Sequence, residues 1–423
     1  MAQLTDDCFA FSGPLLPIAD MERMISERVV PIADTEDVAL ANARGRVLVA
    51  DVAASLDLPP FDNSAVDGYA VRYADLNADG ETRLTIAGRL FAGGAAIQPI
   101  QPGQAVRIFT GAPMPAGTDT VFMQEDTREE GNAVIVPPGL KHGANRRLTG
   151  EDVRKGSVVL RAGRRLATQD VALAAAIGLT KLAVRRRVRV ALLSTGDEIV
   201  EPGSPRPDAA LYDANRYLLA GMLERLGAQT TDLGIIKDNP DALTKALGGA
   251  AKNHDLVLTS GGVSTGEADH VRNAVETIGK LWFWRVAIKP GRPVAMGVIP
   301  SSEGASAAFV GLPGNPVAAF VTFARVVRPL LLRLAGALPE PLTALPVRLA
   351  FDYRKKAGRR EYVRVALRKD ADGTIEAVRH PQEGAGVITS LTETDGLVEL
   401  AEESTVIAKG ATAGFLSYAT LMG

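Results

Sequence analysis

The spacing of apolar and polar residues changes twice along the chain. Through residues 18–187, short apolar segments are broken by glycine and proline, which is typical of a β-rich region. Helices are predicted over 18–29 and 169–177, and strands over 82–87, 104–108, 120–123 and 133–136. We predict an N-terminal composite module, residues 1–187, in which a β-rich subdomain is inserted at about 55–149.

From residue 188 the predicted strands alternate with helices that carry an apolar stripe. Strands are predicted over 188–193, 231–236, 256–259, 282–286 and 307–310, and helices over 215–226, 241–252 and 317–334. This alternation is typical of a doubly wound parallel α/β sheet, here spanning 188–336. Ligands of such sheets bind beyond the carboxyl ends of the strands.

After residue 337 the helical period disappears and short alternating segments follow. Strands are predicted over 346–351, 362–367, 375–378 and 397–400. The pattern indicates a small C-terminal β-barrel domain, residues 337–423. The predicted fold class is therefore multidomain, α/β plus β.

Composition and charge exclude several classes of protein. The 423 residues carry 47 basic and 49 acidic side chains, a net charge of −2, which argues against a nucleic-acid partner. No apolar run reaches the roughly 20 residues that a membrane span needs. The single cysteine excludes an intrachain disulfide and a cysteine-based metal site. We expect a soluble, cytoplasmic protein in which any metal is a hard cation held by carboxylates.

A glycine-rich loop, residues 259–269, follows the predicted strand 256–259 directly. Its glycines let the backbone approach an anion, and its carboxylates would repel that anion unless a cation bridged them. The loop therefore predicts a phosphate site with Mg²⁺, although an ordinary Gly/Ser turn before a solvated helix start fits it too. The residues concerned are Gly261, Gly262, Ser264, Glu267 and Asp269.

Other loops follow the remaining predicted strands and could meet the first at one sheet edge. Lys289 lies in a stiff Pro/Gly loop with Arg285 nearby, and a strand-to-helix turn holds Pro313, Gly314, Asn315 and Pro316. Solvated charges or a simple turn would explain each loop alone. Together the loops indicate a ligand that carries phosphate or a nucleotide. Their remaining members are Ser194, Thr195, Gly196, Glu198 and Asp238.

The β-rich region contains an unusual stretch, residues 61–70, which resembles neither a clean strand nor a helix. It contains Asp67, and Thr110 and Asp152 lie in similarly loop-like segments. A turn with local side-chain hydrogen bonds would account for it. The residues alone do not connect these segments with the α/β site.

Eight ordered blocks carry a resemblance to a known family. They read FDNSAVDGYA, IFTGAP, NRRLTGEDV, STGDE, YDANR, TSGGVSTGEADH, AIKPGRP and GLPGNP. In this order they resemble the molybdopterin molybdenumtransferase (MoeA) family, which is similar to the E domains of gephyrin and plant Cnx proteins. The resemblance extends from about residue 18 to the end and is weaker in the last 90 residues.

The resemblance implies an activity. It is the Mg²⁺-dependent insertion of molybdate into adenylated molybdopterin, with release of AMP and molybdenum cofactor. It also implies a homodimer whose cleft lies between the α/β domain of one chain and the β-rich unit of the other. An adenylyltransferase and an apo-molybdoenzyme are the implied partners.

Matching motifs carry functional positions over to this chain. Asp238 and Asp269 suit magnesium, Glu198 suits water or molybdate, and Arg285 and Lys289 suit an anion. The catalytic candidates are Asp67, Thr110, Asp152, Glu198, Asp238 and Asp269. The chain departs from the family's motifs at two positions. Arg285 stands where a lysine is also seen in the family, and Ala385 stands where a serine is common in the family. The block GRREY, residues 358–362, also matches, and there we expect a role in the fold only.

Two alternatives have other consequences. A molybdopterin adenylyltransferase shares the α/β domain, yet it is usually a single domain with a Gly-Gly-Thr-Gly type of loop. An interaction scaffold would be favoured by loss of the acidic positions, which are all present here. Molybdate and tungstate, tetrahedral dianions of nearly equal size, are not distinguished.

Overall fold

The fold was analysed in a computed structural model. It describes residues 4–5, 7–11, 13, 15–94, 99–261, 270–291, 293–301 and 305–423. Within these ranges, none of the helices has the length and apolar character that crossing a membrane requires.

The N-terminal region contains a helical part and a six-stranded sheet. Its helices are α1 (Ile18–Arg28) and α2 (Thr168–Ala176), and its strands are β1 (Thr35–Ala39), β2 (Val52–Ala53), β3 (Asn63–Ser64), β4 (Gly68–Val71), β5 (Thr82–Leu90), β6 (Gln104–Ile108), β7 (Thr120–Met123), β8 (Arg128–Glu130), β9 (Ala133–Val136), β10 (Arg146–Arg147), β11 (Val158–Leu160) and β12 (Lys181–Arg185). The sheet has the order β7-β4-β6-β5-β9-β8, in which only β5 and β6 are parallel.

The sequence interpretation of residues 61–70 is corrected here. Gly68–Val71 is a fully buried strand between β6 and β7. A side chain at Gly68 could not be accommodated, since a Cβ there would lie 1.7 Å from the carbonyl oxygen of Phe122. The strand therefore requires a glycine at position 68. Glycine is uncommon inside strands, so the sequence pattern did not indicate a strand here.

The central region is an α/β domain. Its strands are β13 (Arg189–Thr195), β14 (Ile199–Val200), β15 (Leu211–Tyr212), β16 (Gln229–Ile236), β17 (Leu256–Ser260), β18 (Lys280–Trp284), β19 (Ile288–Lys289), β20 (Val294–Pro300) and β21 (Ser306–Leu312), and its helices are α3 (Asn215–Arg225), α4 (Pro240–Ala251), α5 (His270–Ile278), α6 (Pro316–Thr322) and α7 (Arg328–Leu334), the last two joined by a π-helical turn, Phe323–Val327. The main sheet has the order β16-β13-β17-β21-β20-β18.

Both faces of this sheet are covered. Along β13, Val190 and Leu192 belong to one buried cluster, while Ala191 and Leu193 belong to the other. Strands β16, β13, β17 and β21 are parallel, as predicted. Strand β20 is antiparallel to β21, because the five residues 301–305 that link them are too few for a parallel crossover. Strand β18 is antiparallel to β20. The sequence pattern did not predict β20.

The C-terminal region is a closed barrel of five strands, in the order β24-β25-β22-β28-β26 and back to β24. Its elements are β22 (Leu345–Leu349), β23 (Tyr353–Arg354), β24 (Arg360–Lys369), β25 (Ile375–Arg379), α8 (Thr389–Thr392), β26 (Gly396–Leu400), β27 (Val406–Ile407), β28 (Thr412–Ser417) and α9 (Tyr418–Met422). The short strand β19 pairs with β24, so it ties the barrel to the α/β domain.

Candidate functional site

A cleft of about 490 Å³ lies at the carboxyl ends of β13, β17 and β21. Half of its lining residues come from the strand-end loops that the sequence predicts to meet. The lining residues are Ser194, Thr195, Glu198, Ile199, Leu211, Tyr212, Asp213, Ala214, Asn215, Ser260, Gly261, Gly314, Asn315, Pro316, Gly386 and Ile388. Three of the predicted loops therefore meet here, and a loop of the C-terminal barrel closes one side.

Close backbone approach holds the loops together. Gly261 has φ +86°, and a Cβ there would lie 2.6 Å from the carbonyl oxygen of Thr195. Asn215, at the start of α3, donates from Nδ2 to Ser260 Oγ (2.9 Å) and to the Gly314 carbonyl (2.7 Å). This amide therefore connects the ends of β17 and β21 beneath the cleft.

Ser194 offers the cleft a polar group that the protein itself does not use. The residue is 2% exposed, and within the described part of the chain its hydroxyl has no hydrogen-bond partner. Buried hydroxyls are normally paired, because leaving one unpaired costs about 1–3 kcal/mol. A ligand in the cleft is the natural partner for this group.

Carboxylates gather beside Thr195. The Thr195 hydroxyl donates to Asp238 Oδ1, and the Asp238 N–H donates to Asp197 Oδ1 at 3.3 Å. Glu198, two residues after the buried Gly196, lines the cleft itself. Asp238 is half-buried and can present a carboxylate oxygen to a cation. Asp269, Gly262 and Ser264 lie outside the described residues, which contain no group of three potential metal ligands.

A buried arginine supports the wall formed by residues 212–215. Arg216, 5% exposed, pairs with Asp213 at 3.0 Å and also with Asp232 and Glu201. These carboxylates outweigh the desolvation that lowers the pKa of Arg216, and the pKa lies above its ordinary value. Asp213, Asn215 and Arg216 were not among the predicted site residues, although they lie in the block YDANR. The signal was available, since polar residues at the start of a helix after a strand mark ligand sites of α/β sheets.

Lys289 lies in a second cavity of about 220 Å³, between the α/β domain and the barrel. Its Nζ is 3.0 Å from Oε2 of Glu361, which is 2% exposed and also accepts a hydrogen bond from the Tyr353 hydroxyl. The pKa of Tyr353 is raised, mainly by burial of its hydroxyl and to a smaller extent by the negative charge of Glu361. The other ionisable residues lining the cavity are Arg364, Arg379, His380 and Glu383.

The cleft and this cavity meet at one loop of the barrel. Ala385 lines the cavity and Gly386 lines the cleft, while the Ala385 carbonyl accepts the Val317 N–H at 3.0 Å. The lysine loop is thus a neighbour of the cleft and not one of its walls. Of the remaining candidates, Pro313 is half-buried behind Gly314, and Arg285 is exposed and lines neither space.

A separate polar group lies on the N-terminal region. Asp67 Oδ1 accepts hydrogen bonds from the backbone N–H (2.8 Å) and the hydroxyl (2.7 Å) of Thr110. These bonds, with Arg107 nearby, lower the pKa of Asp67. Asp152 lies in a neighbouring loop, and its N–H donates to the Leu58 carbonyl at 3.0 Å. As far as the structure describes this chain, the three residues line neither the cleft nor the lysine cavity.

Three family models match consecutive parts of the chain. The model described as MoeA N-terminal region (domain I and II) matches residues 16–178. The probable molybdopterin binding domain matches residues 191–333, which contain the cleft loops, and the MoeA C-terminal region (domain IV) matches residues 346–418.

Whole-chain relatives agree with these matches. The chain is 36% identical over 406 residues to the molybdopterin molybdenumtransferase of Haemophilus influenzae, covering 95% of this chain and 98% of that protein. The enzyme of the same name from Nostoc sp. is 38% identical, with 89% and 87% covered. Among solved structures, the molybdopterin biosynthesis moeA protein from Pyrococcus horikoshii OT3 has a TM-score of 0.76 and 29% identity, with 96% of this chain and 100% of that chain covered.

Proposed function

The chain belongs to the MoeA family of molybdopterin molybdenumtransferases, and from this premise we propose that it inserts molybdate into adenylated molybdopterin. The proposed reaction depends on Mg²⁺ and releases AMP together with molybdenum cofactor. The observation that carries the proposal is the buried Ser194 hydroxyl, unpaired within the described chain, in a cleft built from strand-end loops. Such loops suit a phosphate-bearing ligand.

Each group of the site has a proposed task. Ser194, Thr195 and Gly261 contact the phosphates of the substrate, and Glu198 orients water or molybdate. Asp238, with Asp269 as predicted from the sequence, would hold Mg²⁺, which neutralises phosphate charge when bound. Because cations outnumber carboxylates around Lys289, its cavity favours a tetrahedral oxyanion.

We assign Asp67, Thr110 and Asp152 to the active cleft of a partner subunit in a homodimer. None of the three lines the cleft of its own chain, which supports an arrangement in which two copies of the chain complete each other's sites. The proposed reaction also defines its neighbours. An adenylyltransferase supplies the substrate, and an apo-molybdoenzyme receives the product, all in the cytoplasm.

One incubation tests the proposal. The chain is mixed with adenylated molybdopterin and Mg²⁺, with and without molybdate, and AMP release and reconstitution of an apo-molybdoenzyme are followed. We expect both to depend on molybdate and to fall in an Asp238→Asn variant. Control reactions use Asp241→Asn, an exposed aspartate in the first turn of α4. Tight binding without AMP release would contradict the proposal and favour a scaffold, and ATP-dependent adenylation of molybdopterin would favour an adenylyltransferase.

A further inference from the structure

Four side chains form a layered stack on the β-rich sheet. The Arg107 guanidinium carbon lies 5.0 Å from the ring centre of Tyr69 and 5.2 Å from that of Phe109. Phe91 stacks on Phe109, with the ring centres 4.4 Å apart and the planes 8° from parallel. The order from the core outward is Tyr69, Arg107, Phe109 and Phe91.

Strand geometry produces this stack. Strands β5 and β6 are parallel neighbours, with Leu90 paired to Ile108, so their carboxyl ends coincide. Phe91 and Phe109 are each the first residue after their strand, and the Phe109 N–H donates to the Leu90 carbonyl at 3.2 Å. The two rings are therefore held side by side by the backbone and do not depend on a flexible loop.

The outermost ring is left facing solvent. Phe91 is 56% exposed although it is the end of an ordered aromatic stack. Behind it Arg107 is held by Gln124, and its Nη1 is buried with no hydrogen-bond partner among the described residues. A cation on the far side of an aromatic stack is stabilised by the ring faces, and the open face of Phe91 can accept one more planar ring.

The stack adjoins the Asp67–Thr110 pair. Thr110 directly follows Phe109 and binds Asp67 through Oδ1 alone, so Oδ2 of this carboxylate is not used by Thr110. The pair lies on the inner side of Phe109, so the stack continues from residues that the proposed function assigns to an active cleft. Adenine and pterin are both planar heteroaromatic rings that can stack on an exposed aromatic face.

We propose that Phe91, supported by Phe109 and Arg107, is a stacking platform for a planar heteroaromatic ring of the substrate. The inference rests on the proposed function, because that function supplies a substrate with two such rings. The platform determines affinity and position and takes no part in bond breaking.

The test compares Phe91→Ala with Phe91→Tyr, which keeps an aromatic ring, and with Tyr73→Ala as a matched control. Tyr73 is a partly exposed aromatic of the same region, and its ring lies 5.1 Å from that of His142. Equilibrium binding of adenylated molybdopterin is measured alongside KM and kcat. We expect Phe91→Ala to weaken binding and raise KM by about 10-fold, with kcat nearly unchanged. Phe91→Tyr should restore both, and Tyr73→Ala should resemble the parent.

Two probes distinguish the rings. If adenine occupies the platform, Phe91→Ala weakens binding of AMP and leaves binding of free molybdopterin unchanged. The reverse result assigns the pterin, and either result supports the platform. Unchanged affinity for both overturns it, as does a variant whose only defect is weaker dimerisation in sedimentation, which would mean that Phe91 packs on the partner subunit. The binding measurements do not require turnover. If the unsubstituted protein releases no AMP, the proposed function is contradicted, and the binding measurements still test the platform.

Discussion

Replacing Gly261 with alanine tests how closely two strand-end loops approach each other. At φ +86° an L-residue has a strained backbone, and the new Cβ would lie 2.6 Å from the Thr195 carbonyl oxygen. The backbone strain costs about 1–2 kcal/mol and the overlap about 1–3 kcal/mol, so the free energy of unfolding should fall by about 2–5 kcal/mol. Gly203→Ala is the matched control, because Gly203 has φ +85° and nothing within 4 Å of its added Cβ.

The assay can be confined to the relevant domain. The chain has two tryptophans, and both lie in β18 of the α/β sheet, so tryptophan fluorescence during denaturant titration reports unfolding of that sheet. The difference between the two variants isolates the overlap, and we expect about 1–3 kcal/mol. AMP release should also fall in Gly261→Ala, because the Thr195 carbonyl must shift. Equal destabilisation of the two variants, with activity kept, would refute the close approach.

Three further substitutions test the site. Ser194→Ala should raise the free energy of unfolding by about 1–3 kcal/mol, because it removes a buried hydroxyl that has no partner within the described residues, yet it should also raise KM several-fold in steady-state assays. Thr110→Val removes one of the two donors that lower the pKa of Asp67, so this pKa should rise toward 3.8 in a carboxyl NMR titration. Because the pKa of Asp67 is lower in the folded protein than in the unfolded chain, its ionised form stabilises the fold at a pH above the unfolded-state pKa. This stabilisation is lost as the pH falls through the folded-state pKa. The variant has a higher folded-state pKa, so it should begin to lose the stabilisation at a higher pH. Arg216→Met leaves the buried Asp213 without its cation and should destabilise the α/β domain by about 3–5 kcal/mol in the same fluorescence titration.

The parts of the fold that sequence predicted best are those with a regular apolar period. Helix α3 was expected over 215–226 and is found at Asn215–Arg225, and β6 has the expected bounds. Strand β4 was not predicted because it can pack beside β7 only where Gly68 leaves space for the Phe122 carbonyl. This contact joins segments that are distant in sequence, so no local pattern indicates it. Strand β20 was missed because it follows a Pro/Gly loop and pairs antiparallel in a sheet expected to be parallel.

The candidate site shows the same limit. Ser194, Glu198, Gly261 and Asn315 line one cleft, as the strand-end argument expected. Lys289 does not, because Ile288–Lys289 pairs with Arg360–Glu361 of the barrel, and no local pattern encodes a pairing across 72 residues. Glu361 of the block GRREY forms an ion pair with Lys289.

If the proposed function is correct, charge balance requires that these parts of the site bind a cation together with the substrate. The assigned positions Asp67, Asp152, Glu198, Asp238 and Asp269 are all acidic, whereas phosphate and molybdate are anions. Five carboxylates around two anions would repel both unless cations intervene, and a bound Mg²⁺ is the cation that carboxylates and phosphate oxygens hold together. Lys289 is already paired with the carboxylate of Glu361, so its charge cannot replace that of the metal. We therefore expect substrate affinity to depend steeply on Mg²⁺, and that dependence to weaken when Asp238 is replaced by asparagine.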